Sequence, residues 1–149
     1  RVKIGFIDFQ RAITESAAGK KAKARFDAQV KKAESDLLKD KQELERLKTD
    51  FDKKGPLLKE DERRNQEADL QRRYVQYQRT VQDHQQELRQ REGEMTQDII
   101  KQLQQIVTDV CKAEKFTLIF ERSQILYHDQ AIDITNKVIE TFNSRVKTK

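Results

Sequence analysis

The sequence predicts an α+β chain, mostly α: a long antiparallel coiled-coil hairpin arm on a small β body made from both chain ends. Three observations predict it. Charged residues make up 38% of the chain and hydrophobic ones 35%, with a mean hydropathy of −0.98. A compact single-core globule carries about 45–50% apolar residues. Such a polar chain is either disordered or built of long two-sided helices, and with one Pro, four Gly and a clear apolar period it reads as helix. Second, strand-like text occurs only near the two ends. Third, the single proline, Pro56, interrupts an otherwise unbroken helical stretch.

The elements follow in order. Lys3 to Phe9, "KIGFIDF", is short, apolar and rich in β-branched and aromatic residues, which predicts a strand. From about Thr14 to Glu114 the pattern is helical, broken at Gly55-Pro56. Phe116 to Asp129, "FTLIFERSQILYHD", predicts two strands around a polar "ERSQ" turn. Asp133 is placed as the N-cap of a last helix, "ITNKVIETFNSRV", whose Ile134, Val138 and Phe142 fall on one face. Residues 1–15 and 99–149 are expected to form the oligomerisation body, and 16–98 the arm.

Within the first long helix Val30, Leu37, Leu44 and Phe51 occupy a positions, with Phe26, Ala33, Asp40 and Leu47 at d. The second repeats the scheme, with Tyr74, Val81, Leu88 and Met95 at a and Leu70, Tyr77, His84 and Arg91 at d. Narrow apolar seams of this kind bury against one partner and leave the remaining surface wet. Gly55 is expected to end the first helix in a left-handed cap, and Pro56 to prevent its continuation. Folding about Leu57 pairs Leu44 with Leu70, Leu37 with Tyr77, Ala33 with Val81 and Phe26 with Leu88. Asp40 then meets Tyr74 as a polar layer that fixes register. Each leg has about 38 residues, roughly 57 Å at 1.5 Å per residue. Beyond Met95 the spacing changes to Ile99, Leu103, Ile106 and Val110, a stutter with no partner on the first leg. Those four are expected to pack on the β segments.

Gly19 and Gly93 fall at nearly the same height on opposite legs and are expected to act as a hinge, since glycine inside a helix costs about 1 kcal/mol relative to alanine. The competing reading is that Gly19 makes room for Met95. At the tip, Lys53, Lys54, Lys59, Arg63 and Arg64 surround Leu57 and Leu58, a candidate contact for clients or lipid. The alternative there is a solvated turn whose leucines pack onto Phe51. In the body, three short strands and one helix leave apolar surface uncovered, so oligomerisation through it is expected.

Catalytic and metal chemistry find no support. "AAGKKAK" has Thr14 where a phosphate-binding loop needs glycine, and Lys21 where it needs a hydroxyl. His84 and His128 lack ligand-spaced neighbours, and no Ser or Cys has a base-and-orienter set. The lone Cys111 excludes an internal disulfide and sits on an apolar helix face, where a thiol packs as a small apolar group. The net charge of +5 comes mostly from charges that alternate in sign along helices, as on a solvated surface. No enzyme activity, cofactor or metal is expected. Beginning at Arg1 rather than Met, the chain is expected to be a processed or trimmed form.

Two stretches carry a resemblance. "KIGFIDFQRA" followed by "AGKKAKARF" near the start, and "FTLIFERSQILYHDQAIDITNKVI" near the end, resemble the Skp (OmpH-type) periplasmic chaperone family. The match keeps one order through the whole chain: strand, helical hairpin, strands, C-terminal helix. The end segment, with its "DIT" helix start, is the more specific part.

The resemblance implies a homotrimer of "jellyfish" architecture, its strands assembled into a central body through Ile4, Phe6, Ile7, Phe116, Leu118, Phe120, Ile125 and Tyr127. It implies an ATP-independent holdase in the periplasm, its signal peptide removed, that encloses unfolded outer-membrane proteins between its arms. It also implies contact with lipopolysaccharide or an anionic membrane surface through basic residues on the returning helix. Arg89 and Arg91 lie there, although Gln90 interrupts them and Glu92 follows.

Other classes fit less of the text. A prefoldin-like chaperone carries its strands at the turn between long helices, whereas here they lie at both chain ends. A nucleic-acid-binding coiled coil would need a basic run free of acids, which the arm lacks, so no nucleic acid is expected. A structural coiled-coil scaffold is the remaining alternative.

Overall fold

The computed structural model describes residues 1–147. Strand β1 (Ile4–Ile7) leads into helix α1 (Phe9–Glu15), followed by the long helices α2 (Ala17–Lys54) and α3 (Glu60–Glu114), strand β2 (Leu118–Glu121) and helix α4 (Thr135–Lys147). The chain divides into two compact units. One comprises 1–26 with 92–149, and the other 27–91.

In the first unit β1 pairs with β2 in parallel, with Ile4 opposite Leu118 and Ile7 opposite Glu121. On its other side β1 meets Asp133 in an isolated parallel bridge, and Ile134 N–H donates to the Phe6 carbonyl at 3.0 Å. Flanked on both sides, Gly5, Phe6 and Ile7 are all buried. Gly5 has no room for a side chain: a Cβ there would stand 2.9 Å from the Phe116 ring and 3.1 Å from the Ile132 carbonyl oxygen. The expected strand is cut short at Asp8, whose carboxylate accepts from Arg11 N–H and caps α1. Phe9 is therefore helical rather than extended.

Helix thus begins five residues earlier than Thr14, and it breaks once at Ser16. The Ser16 backbone is extended, its N–H closing α1 on the Ala12 carbonyl. Its Oγ accepts from Gly19 N–H at 3.0 Å at the start of α2. One buried serine therefore serves as C-cap of one helix and N-cap of the next. The break brings the Ile13 carbonyl oxygen to within 1.6 Å of where a Cβ on Gly19 would lie. Gly19 makes room for that carbonyl, not for Met95, and an alanine there would collide with backbone.

The body core contains Ile7, Ala12, Ile134, Val138 and Phe142 together with Ile99, Leu103, Ile106 and Val110. The stutter residues do pack with β1 and the C-terminal helix, as their lack of a partner on the first leg required. Leu103 and Val138 are wholly buried, where truncation to alanine typically costs about 2–5 kcal/mol. Helix α3 ends in a Schellman motif: Phe116 N–H donates to the Cys111 carbonyl and Lys115 N–H to that of Lys112. Lys115 takes the left-handed conformation at φ 58°. The Lys3 ammonium donates to the Glu114 carbonyl and stands 4.4 Å from the Phe116 ring centroid, tying the start of the chain to this helix end.

The second expected strand after "ERSQ" does not form. The turn is a 3₁₀ segment, Arg122–Gln124, and residues 125–129 continue without ladder pairing to a second 3₁₀ turn, Gln130–Ile132. The second β1 edge is taken by Asp133.

In the second unit α2 and α3 form the antiparallel hairpin. Phe26 apart, every α2 seam position named above within this unit is sheltered except Asp40, and on α3 every one except Tyr74 and Arg91. Asp40 and Tyr74 do not form the expected polar layer: both are exposed, and no hydrogen bond joins them. Leu44 lines a groove with Leu70 as expected, whereas Ala33 shares one with His84 and Leu88, further along the returning leg than Val81. The turn explains the offset. Gly55 is not left-handed; α2 runs into a 3₁₀ turn, Gly55–Leu57, closed by Leu58 N–H on the Gly55 carbonyl, and an extended Leu58 lengthens the return side.

Asp133 stands one position before the α4 cap, which Ile134 occupies rather than the expected Asp133, and its carboxylate accepts from the N–H and the hydroxyl of the fully buried Thr135. The Thr135 hydroxyl oxygen in turn accepts from Asp8 N–H at 2.9 Å. Thr135→Val keeps the shape but orphans that donor. Urea denaturation is expected to show a loss of about 1–3 kcal/mol, with the helical circular dichroism signal of the folded state unchanged.

Candidate interaction surfaces

Three surfaces were legible as candidates: the body strands, the hairpin tip and the returning leg. In the body, Phe6 and Ile7 are each 1% exposed and fill the chain's own interior, so they are unavailable to a second molecule. This differs from their placement in a contact between chains: Ile7 packs into the core with residues of the helices, and Phe6 lies against His128. Ile4, Leu118, Phe120 and Tyr127 are exposed, while Phe116 and Ile125 are half-buried. Leu126 was missed and is fully exposed beside Tyr127. Among the described residues β2 pairs only with β1, so one of its edges carries no strand.

Glu121, the last residue of β2, organises the turn behind this surface. Its carboxylate accepts from Phe9 N–H at 3.2 Å and from Ser123 N–H. Burial acts to raise its pKa, but hydrogen bonds from Ser123, Phe9 and Arg122 outweigh it and hold the carboxyl below its usual range. The His128 ring packs on Phe6 at 4.1 Å between centroids, its Nδ1 buried without a hydrogen-bond partner. Cys111 is half-buried, and desolvation, with Glu114 nearby, pushes its thiol pKa up, away from nucleophilic reactivity. No group of three or more His, Cys, Asp or Glu able to hold a metal occurs among the described residues. Nor, among them, is any helix long and apolar enough to cross a membrane.

At the tip Leu57 is 86% exposed and Leu58 half-buried. Lys53, Lys54, Lys59 and Arg63 are exposed around them, and Arg64 pairs with Glu60 at 2.9 Å. Phe51 packs instead beside Gly55, whose Cβ position lies 3.7 Å from its ring. On the returning leg Arg89 and Arg91 are both exposed, and Arg91 pairs with Glu87. Gly93 has nothing within 4 Å of a Cβ position. It thus lacks the packing reason for glycine that Gly19 has. The arm also carries an open groove of ≈ 710 Å³ between its legs, walled by Leu44, Phe51, Leu70, Tyr74 and Tyr77. Sequence reasoning missed it, although the Asp40 and Tyr74 seam positions mark its neighbourhood.

Comparison with known proteins adds to this geometry. The family described as Outer membrane protein (OmpH-like) matches residues 3–142. The chain is 24% identical to the chaperone protein Skp of Blochmanniella pennsylvanica, over 93% of this chain and 84% of that one. Its fold is shared with a crystal structure of a candidate outer membrane chaperone (OmpH-like) from Caulobacter crescentus. That match has a TM-score of 0.94 and 23% identity and covers 99% of this chain and 87% of the other.

Because the folded-state pKa of Glu121 is depressed, its contribution to stability is complete above its unfolded value, about 4.3, and is lost as pH falls through the lower folded value. Acid titration of thermal stability is therefore expected to show a fall below that range which Glu121→Gln makes shallower. An unchanged acid limb in the variant would remove Glu121 as its source.

Proposed function

Because the chain belongs to the outer membrane protein (OmpH-like) family, we propose that it is an ATP-independent holdase chaperone that keeps unfolded outer-membrane β-barrel proteins from aggregating. The observation that carries this reading is the arm. Two helices of 38 and 55 residues spend their narrow apolar seam on each other and present charged residues elsewhere. Such a surface stays hydrated beside an aggregation-prone chain while scattered apolar side chains offer many weak contacts. The names of the relatives, chaperone protein Skp and outer membrane chaperone, support the same class.

In this reading the working form is a periplasmic homotrimer, delivered there with its signal peptide removed. The exposed Ile4, Leu118 and Phe120 join three bodies, and the arms surround the client. Three short-stranded bodies cover apolar strand surface that one cannot. The net charge of +5 favours anionic partners, including a membrane surface. Compliance near Gly93 lets the arms adapt to clients of different size.

The test mixes the protein, without nucleotide, with an unfolded β-barrel client diluted from urea, following turbidity and measuring oligomer mass by light scattering. Suppressed turbidity and a mass of three chains are expected. Phe120→Asp should lower the mass and weaken suppression while the helical signal persists. Unsuppressed aggregation with the wild-type chain would end the holdase reading, and a monomer that still suppresses would end the trimer.

A further inference from the structure

We propose that the groove between the legs is a docking site for an extended segment of unfolded polypeptide whose aromatic or aliphatic side chains alternate with polar ones. The proposal rests on the holdase reading and names the sequence pattern the arm selects.

The groove lies beside a gap in the seam at Asp40, which does not itself line it. Along α2 the seam runs Ala33, Leu37, Asp40, Leu44, Leu47 and Phe51, and only Asp40 in that stripe is exposed. A carboxylate costs too much to bury without a partner, so this position turns to water and supplies no knob to the seam. Along α3 the stripe runs Leu70, Tyr74, Tyr77, Val81, His84 and Leu88, and only Tyr74, 51% exposed, is uncovered. The seam is thus short of one apolar side chain in the region where both tyrosines of the arm lie. The adjoining groove is ≈ 710 Å³, within the range of about 300–1,000 Å³ typical of ligand sites.

Length and chemistry select the occupant. On α2 the groove reaches from Lys41 to Asp52, about 16 Å of helix, which matches roughly five residues of extended chain. An extended segment turns alternate side chains to the same side, so its apolar set can enter the groove while its polar set stays in water. The α2 rim is Lys41, Glu45, Lys48 and Asp52, alternating in sign, and none of the four holds an ion pair among the described residues. An extended backbone presents N–H and C=O groups in alternation. Carboxylates accept from the first and ammonium groups donate to the second, so the rim complements a backbone rather than a net charge. A second copy of the arm fits worse. Its exposed large apolar residues, Leu38, Leu57, Tyr74 and Val75, make no continuous ridge on either helix.

The test uses the full chain and a capped, fluorescein-labelled nine-residue peptide in which tyrosine and leucine alternate with threonine and serine. The control has the same composition with its apolar residues in one block. Fluorescence anisotropy should show the alternating peptide binding about tenfold more tightly than the control. Asp40→Leu, which restores the missing apolar side chain, should reduce that binding about tenfold while raising the melting temperature. Tyr74→Ser should weaken it without changing helicity, and carries the test should Asp40→Leu misfold. Equal binding of the two peptides, or full binding by either folded variant, would overturn the proposal. So would wild-type self-association that Tyr74→Ser abolishes, since that assigns the groove to a second copy. Turbidity of the β-barrel client is followed in parallel. Suppression without peptide discrimination removes the groove alone, whereas discrimination without suppression removes the holdase reading and leaves the groove as a peptide site.

Discussion

The parallel pairing of β1 with β2 is the constraint on which the rest depends. Antiparallel strands can be joined by a two-residue turn, whereas parallel ones require a crossover of a dozen residues or more. Here the crossover is the entire run from α1 through α3, so β1, near the start of the chain, finds its partner only after Glu114. A four-residue strand pair cannot hold such a crossover by itself. The C-terminal part of α3 therefore supplies Ile99, Leu103, Ile106 and Val110 to the same core that α4 completes with Val138 and Phe142. Buried hydrogen bonds finish the closure, as Asp8, Thr135 and Asp133 bind one another across more than 120 positions of sequence.

The two units solve opposite problems, and the hairpin, residues 27–91, is the poorer of the two in apolar residues. The body gathers most of the buried apolar residues into one core and still leaves Leu118, Phe120, Leu126 and Tyr127 uncovered. The hairpin encloses little and relies on a narrow seam and on local ion pairs such as Arg46 with Glu43 and Asp50. Solvent screens exposed pairs of this kind, so they add little stability. Their main effect is to keep a long helical surface hydrated. A holdase needs both properties, since a surface apolar enough to grip strongly would itself aggregate.

Much of this was legible because helix periodicity is a local signal. The 3- and 4-residue spacing from Val30 to Phe51, the Gly55-Pro56 break and the one-faced Ile134, Val138 and Phe142 each follow from neighbours in sequence. What sequence could not reveal is non-local or depends on one atom. Ser16 sits in unbroken helical text, and the break there rests on one hydroxyl that caps α2 while the Ser16 N–H closes α1. The second β1 edge goes to Asp133, from a later segment, and no strand forms after "ERSQ". Lys115 takes a conformation that normally signals glycine. Of the candidate surfaces, the tip was readable from Leu57 and its lysines. The buried state of Phe6 and Ile7 required knowing that β1 is flanked on both sides.

In the proposed function the hairpin does the holding and the body assembles the chains. Removing two heptads from each leg, residues 37–50 and 67–80, keeps the tip, the heptad phase and the body. Suppression of β-barrel client aggregation should then fall steeply while oligomer mass per chain count stays that of the full-length protein. Undiminished suppression by the shortened chain would contradict the account and move the holding surface to the body.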